Sequence, residues 1–131
     1  MNHEEFKQAV RTMRQAQKQY FLLPADNPVK EKAKETMRQA ELPVWGEVDR
    51  VSAIRPQGQM PKSEQEEFFL LVADLVAAHR RWIRSRYTTD RDFARQLERK
   101  VDVWLQEDDR RIKEDKEREL AKRQTRLFDE L

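Results

Sequence analysis

The sequence predicts a small all-α bundle made of two tandem antiparallel helical hairpins, followed by an extended charged helix at the C terminus. The chain of 131 residues has only 2 glycines and no cysteine, which leaves little material for the turns of a β-rich fold and none for disulfides. Apolar residues recur at spacings of three and four, as on one face of an α-helix. This pattern occurs twice, at a constant offset of 62 residues.

The first helix of each predicted hairpin carries one stripe of matched residues. The stripe is Phe6, Val10, Met13, Gln17 and Tyr20 in the first copy and Phe68, Val72, Leu75, His79 and Trp82 in the second. Two capping pairs predict where these helices begin, Asn2 with Glu5 and Ser63 with Glu66. We therefore expect equivalent faces of the two helices to meet in the core.

The second helix of each hairpin is predicted to follow a short break. Asn27 as the cap and Pro28 as the first helical residue indicate its start in the first copy, and Thr89 as the cap indicates it in the second. Pro43 predicts a kink or break near Leu42, because a proline ring clashes with the preceding turn and cannot donate a backbone hydrogen bond.

The alignment of the two second helices is open between two offsets. Matching Trp45 to Trp104 gives an offset of 59 residues, whereas matching Val48 to Val101 gives 53. We prefer the tryptophan match because it needs the smaller insertion. The predicted organisation is a hairpin over 1–53, a linker over 54–62, a second hairpin over 63–105 and a charged helical extension over 106–131.

The extension is too polar to form a core, with eight basic and nine acidic residues between 106 and 131. Its apolar residues are sparse and include Leu120, Leu127 and Phe128. This composition is typical of either a solvated helical rod or one strand of an intermolecular coiled coil, through which the protein would form a homo-oligomer.

The sequence predicts no enzyme, and we expect no catalytic residue, no cofactor and no metal site. His3 and His79 lie in no metal-binding spacing, and no serine is flanked by the glycines of a nucleophile elbow. The polar, acidic start is unlike a secretory signal, and the longest apolar run, 68–73, is too short for a membrane span. A cytoplasmic protein without a membrane partner is therefore expected.

Polar and aromatic residues near the predicted core have two interpretations. Gln17 and His79 occupy matched positions, where they would either hydrogen-bond across the bundle or lie at the edge of the core with their polar ends in water. We favour the edge. The large aromatic residues are expected to fill the core rather than bind a ligand, and these are Tyr20, Trp45, Trp82 and Trp104.

Arginines cluster at the end of the second hairpin, with five between residues 79 and 91 against one acid, Asp90. They are Arg80, Arg81, Arg84, Arg86 and Arg91. Arginine forks suit bidentate phosphate contacts, and Trp82 or Tyr87 would stack on an unpaired base if exposed. Two other interpretations remain open besides nucleic-acid binding. One is an ordinary solvated helix face, and the other is a contact site for an acidic protein surface.

Three segments carry a resemblance, residues 13–21 (MRQAQKQYF), 80–84 (RRWIR) and 97–102 (LERKVD). They resemble short helical-hairpin proteins encoded by phages and mobile elements of gut bacteria, over about residues 6–52 and 68–105. The resemblance implies a hairpin fold and that genetic setting, and it supplies no catalytic residues. This chain departs from the pattern by being doubled, by Pro43 and Gly46, and by its charged extension.

Two functions follow as expectations. The first is a non-catalytic interaction protein, an adaptor or assembly component of a phage or mobile element, which contacts a partner helix through Leu120, Leu127 and Phe128. The alternative is a nucleic-acid-binding accessory protein that uses the arginine cluster.

Overall fold

The computed structural model describes residues 1–130, which form four α-helices and no strand. The helices are α1 (His3–Leu22), α2 (Lys30–Ile54), α3 (Glu64–Ser85) and α4 (Thr88–Asp129). The predicted all-α class is confirmed. The chain divides into two units, Met1–Val101 and Asp102–Leu131, and the last residue of the predicted extension, Leu131, lies outside the described residues.

The starts of α1 and α3 have the predicted caps. The Asn2 side-chain oxygen accepts a hydrogen bond from the Glu5 backbone N–H at 2.8 Å, and the Ser63 hydroxyl accepts one from the Glu66 N–H at 3.1 Å. The Glu66 carboxylate turns back to accept from the N–H of Lys62, also at 3.1 Å. These bonds satisfy backbone donors that the first helical turn leaves unpaired.

The starts of α2 and α4 differ from the prediction. The Asn27 side chain accepts from the Val29 N–H at 2.9 Å, which closes a local turn, so Pro28 lies in the loop and α2 begins only after Val29. In the second copy the helix begins at Thr88, so Thr89 is already helical rather than the cap.

Helix α2 runs unbroken through Pro43, so the break predicted near Leu42 is wrong. Leu42 and Pro43 are exposed, whereas Glu41 and Val44 on either side are buried. Packing of this buried face holds the helix together across the missing backbone donor, because most helix stability in proteins comes from tertiary contacts.

Equivalent faces of α1 and α3 line the core of the first unit, as the stripe predicts. The buried apolar residues at the 62-residue offset are Phe6 and Phe68, Val10 and Val72, Met13 and Leu75, and Ala16 and Ala78. The rings of Phe6 and Phe68 meet edge to face with centroids 5.9 Å apart. The burial pattern of α1 thus recurs in α3.

The second helices align at an offset of 57 residues, so neither 59 nor 53 is correct. The buried positions that match at this offset are Met37 and Ala94, Glu41 and Glu98, and Val44 and Val101. The tryptophan match gives an offset two residues larger than the observed one. A shift of two residues turns the buried face roughly to the other side of the helix. The change of offset from 62 to 57 reflects loop length, because the α1–α2 loop has seven residues, 23–29, and the α3–α4 loop has two, 86–87.

The large aromatic residues do not fill the core as predicted. Tyr20, Trp45, Trp82 and Trp104 are all only partly buried. The fully buried large side chains are mainly aliphatic, apart from Phe68.

Candidate functional site

Six polar or charged side chains are buried in the first unit, and all of them except Lys7 form what we call the polar core cluster. Its members, each no more than 5% exposed, are Arg14, Gln17, Glu41, His79 and Glu98. Burial of charge is unfavourable unless the groups pair with one another. Whether the cluster stabilises the bundle therefore depends on how completely its members pair with one another.

The first half of the cluster centres on Glu41 in α2. Its carboxylate accepts from the Gln17 amide at 2.8 Å and from the guanidinium of Arg38, at the edge of the bundle, at 2.9 Å. The Gln17 amide oxygen accepts from the buried Arg14 at 2.6 Å. Glu41 is thus paired in spite of its burial.

The second half centres on Glu98 in α4. One carboxylate oxygen lies 2.8 Å from Nε2 of His79 and 3.5 Å from the Arg14 guanidinium. The other oxygen accepts from Arg95 at 2.9 Å. Because an ionised carboxylate only accepts, Nε2 of His79 carries the proton and donates it. Arg14 connects the two halves.

Gln17 and His79 therefore lie within the core, and the prediction that they sit at its edge in water is wrong. The acids that pair with them are 24 and 19 residues away in sequence, on other helices. One signal of this pairing is present in the sequence and was missed. Residues 38–41 are RQAE and residues 95–98 are RQLE, so both second helices carry the same arginine and glutamate one turn apart, at the 57-residue offset.

The charges around Glu98 control its ionisation. Burial alone would raise the pKa of this carboxyl, but the hydrogen bond from His79, the charge of Arg14 and the hydrogen bond from Arg95 lower it to about 2, from an ordinary value of 4.5. Glu98 is therefore a carboxylate throughout the neutral and mildly acidic range.

We expect the first unit to lose stability in acid because of Glu98. Its folded pKa lies below its unfolded value, so its contribution is complete above about pH 4.5 and is lost as the pH falls towards 2. The loss is at most about 3 kcal/mol. Urea unfolding at neutral pH and near pH 3 measures it. An equally large loss in a Glu98→Gln variant would contradict the assignment to this carboxyl.

A cavity of about 150 Å³ adjoins the cluster, and Gln17, Glu41 and His79 form part of its lining. Nδ1 of His79 is buried and has no hydrogen-bond partner within the described residues. The cavity lies between α1, α2 and α3 and was not predicted from the sequence.

Arg80 of the predicted arginine cluster is paired within the fold. Its guanidinium donates to both carboxylate oxygens of Asp49 at 2.8 and 2.9 Å and lies over the Trp45 ring, 5.0 Å from the centroid. These hydrogen bonds lower the pKa of Asp49. The pair was not predicted because Asp49 lies 31 residues earlier, on α2.

Two more of the five arginines also have acidic partners. Arg81 contacts Asp90 at 3.1 Å, and Arg91 contacts Asp92 at 3.3 Å. Arg84 and Arg86 are exposed and have no acidic partner within residues 1–130. The five arginines are therefore not one continuous unpaired patch.

The second unit is the C-terminal part of α4. Every residue from 109 to 130 is exposed, including the predicted contact residues Leu120, Leu127 and Phe128. Ion pairs within the helix join Arg110 to Glu107 and Glu114. This part of the helix is thus stabilised by neighbouring charges along its own surface.

No protein-family model, curated protein or solved structure matches this chain. None of the helices within residues 1–130 is long and apolar enough to span a membrane. In the same part of the chain, histidine and acidic side chains do not come together in threes that could hold a metal ion.

Proposed function

We propose that this protein is a non-catalytic adaptor or assembly component that binds another protein through the C-terminal part of α4. The observation that carries the proposal is the exposure of Ile112, Leu120 and Leu127, at 38%, 57% and 63%. These residues follow one another at spacings of eight and seven, close to two helical turns each, so they lie along one side of the helix. We call them the apolar stripe. A stripe of this kind fits a groove or the seam of a coiled coil.

The helix that carries the stripe is held in its helical form by charge pairs. Arg110 bridges Glu107 and Glu114, and Arg118 pairs with Asp115. Each pair contributes only about 0.2 to 0.5 kcal/mol, but together they favour the helix before any partner binds. A helix formed in advance loses less conformational entropy on binding, which strengthens association.

The resemblance of the hairpin pattern to phage and mobile-element proteins supports a role in such an element, in the cytoplasm of its bacterial host. The partner is a protein with an apolar groove or a matching helix. If the partner is a second copy of this chain, the same contact forms a homo-oligomer.

Binding through the stripe is tested with Ile112→Ser/Leu120→Ser/Leu127→Ser in the full chain. The matched control replaces three exposed polar residues of the same helix, Lys113→Ser/Glu117→Ser/Gln124→Ser. Tagged protein is recovered from nuclease-treated host lysate and quantified by mass spectrometry, and sedimentation equilibrium measures self-association. We expect the stripe variant to lose at least about tenfold of the bound partner, because burial of such side chains contributes about 1.5 to 3 kcal/mol each. The control should retain the partner.

The proposal fails if the stripe variant and the control recover the same proteins and self-associate equally. Circular dichroism of both variants checks that the helix content is unchanged. A partner lost only with the stripe variant supports the adaptor role, and self-association lost in the same way identifies the partner as a second copy.

A second candidate is nucleic-acid binding by Arg84 and Arg86, which are free of acidic partners within the described residues, beside Tyr87, which is 68% exposed. Two phosphate contacts would give a shallow salt dependence, with a slope of about −2 in a plot of log K against log salt. Arg84→Gln/Arg86→Gln should abolish that slope. Unchanged binding by this variant would exclude the arginine mechanism.

A further inference from the structure

We propose that the cavity beside the polar core cluster binds a small aromatic carboxylate. Its volume of about 150 Å³ suits one benzene-sized ring. This site is separate from the apolar stripe of the proposed function and does not depend on it.

The apolar part of the lining favours a planar ligand. Tyr20, Phe21 and Trp82 line the cavity together with Met37. Phe21 and Trp82 are stacked with ring centroids 5.9 Å apart, and Arg95 lies over both rings. Rings held in this way present fixed faces and edges against which another aromatic ring packs favourably.

The charges of the lining favour a single negative charge on the ligand. Lys34 and Arg86 line the cavity, are exposed, and have no acidic partner within residues 1–130. Arg38 is already paired with Glu41. Because the Glu41 carboxylate lines the same cavity, it would repel a dianion such as phosphate more strongly than a carboxylate. Lys34 and Arg86 are therefore the residues that would bind the carboxylate.

His79 contributes its ring to the lining rather than a hydrogen bond. The residue is 5% exposed, its Nε2 lies 2.8 Å from Glu98, and its Nδ1 is buried. The ligand is therefore bound by packing of its ring and by the charges of Lys34 and Arg86.

Calorimetric titration of the full chain tests the site with two probes, benzoate and benzyl alcohol. We expect saturable one-to-one binding of benzoate. Benzyl alcohol has the same ring but lacks the charge that pairs with Lys34 and Arg86. It should bind about tenfold more weakly, because it leaves the charged interaction of the site unmade.

Variants locate the binding in this cavity. Lys34→Gln/Arg86→Gln should weaken the binding of benzoate about tenfold or more. The matched control, Lys32→Gln/Arg84→Gln, removes an exposed cation two residues before each of Lys34 and Arg86 and outside the lining. It should bind as the wild type does. Both pairs are surface residues, and circular dichroism checks that both variants fold.

Three results would overturn the proposal. One is the absence of saturable binding up to about 10 mM, which is weaker than a specific site of this kind should be. Another is equal affinity of the Lys34→Gln/Arg86→Gln variant and the wild type. The third is equal affinity for benzoate and benzyl alcohol, which would show that Lys34 and Arg86 do not bind a carboxylate.

Discussion

Replacing Glu98 with glutamine is expected to lower the free energy of unfolding by about 3 to 5 kcal/mol. The change removes the negative charge that lies 3.5 Å from the Arg14 guanidinium, and both side chains are buried. It also places an amide where His79 and Arg95 both donate hydrogen bonds to a carboxylate. An amide has one acceptor oxygen in place of two, so either the buried His79 or the part-buried Arg95 loses its partner.

The matched control is Glu107→Gln. Glu107 pairs with Arg110 on the exposed surface of α4, where loss of the pair should change stability by no more than about 0.5 kcal/mol. Urea unfolding followed by circular dichroism measures both variants. If Glu98→Gln is no more destabilising than Glu107→Gln, the polar core cluster does not hold the bundle together.

A double variant separates the ion pair from simple loss of packing. Arg14→Met retains much of the apolar volume of the arginine side chain and removes its charge. If the unpaired charge is the main cost, Arg14→Met/Glu98→Gln should lose less stability than the sum of the two single changes. Strict additivity would mean that Arg14 and Glu98 act independently.

The stripe of the first helices could be predicted because it is a local property of the sequence. The spacing from Phe6 to Met13 and its repeat from Phe68 to Leu75 determine which side of each helix is apolar, whatever the rest of the chain does. The caps at Asn2 and Ser63 are local in the same sense, since donor and acceptor lie three residues apart. The all-α class followed from these features.

The alignment of the second helices could not be derived in this way. It depends on how many residues the loop takes up, and the Asn27 turn makes the first loop five residues longer than the second. The tryptophans misled the alignment because Trp45 and Trp104 are large but only partly buried, and thus do not mark the core face.

The polar core cluster depends on contacts between helices that no spacing within one helix reveals. Glu41 and Glu98 resemble the many surface carboxylates of a chain in which 40% of residues are charged. They are distinguished by their buried positions, level with Gln17 and His79, and by the arginine that precedes each of them by three residues. The same reason explains why the pairing of Arg80 with Asp49 was missed and the arginine cluster seemed more strongly basic than it is.

Replacing Phe68 with alanine is expected to lower the free energy of unfolding by about 3 to 5 kcal/mol, through lost apolar burial and the void that remains. Phe68 is 0% exposed, and its ring meets that of Phe6 at 5.9 Å and that of His3 at 6.1 Å. For a domain of about a hundred residues this corresponds to a melting temperature lower by roughly 12 to 40 °C.

The matched control is Phe93→Ala on α4, because Phe93 is 54% exposed and should cost less than about 1 kcal/mol. Phe6→Ala provides a further comparison, since Phe6 occupies the equivalent position of α1 and is 4% exposed. Thermal and urea unfolding of the three variants measure the differences. Similar large losses for Phe6 and Phe68 are expected if the two first helices contribute equivalent faces to one core. A small loss at Phe68 and a large one at Phe6 would show that equivalent buried positions of α1 and α3 do not contribute equally to stability.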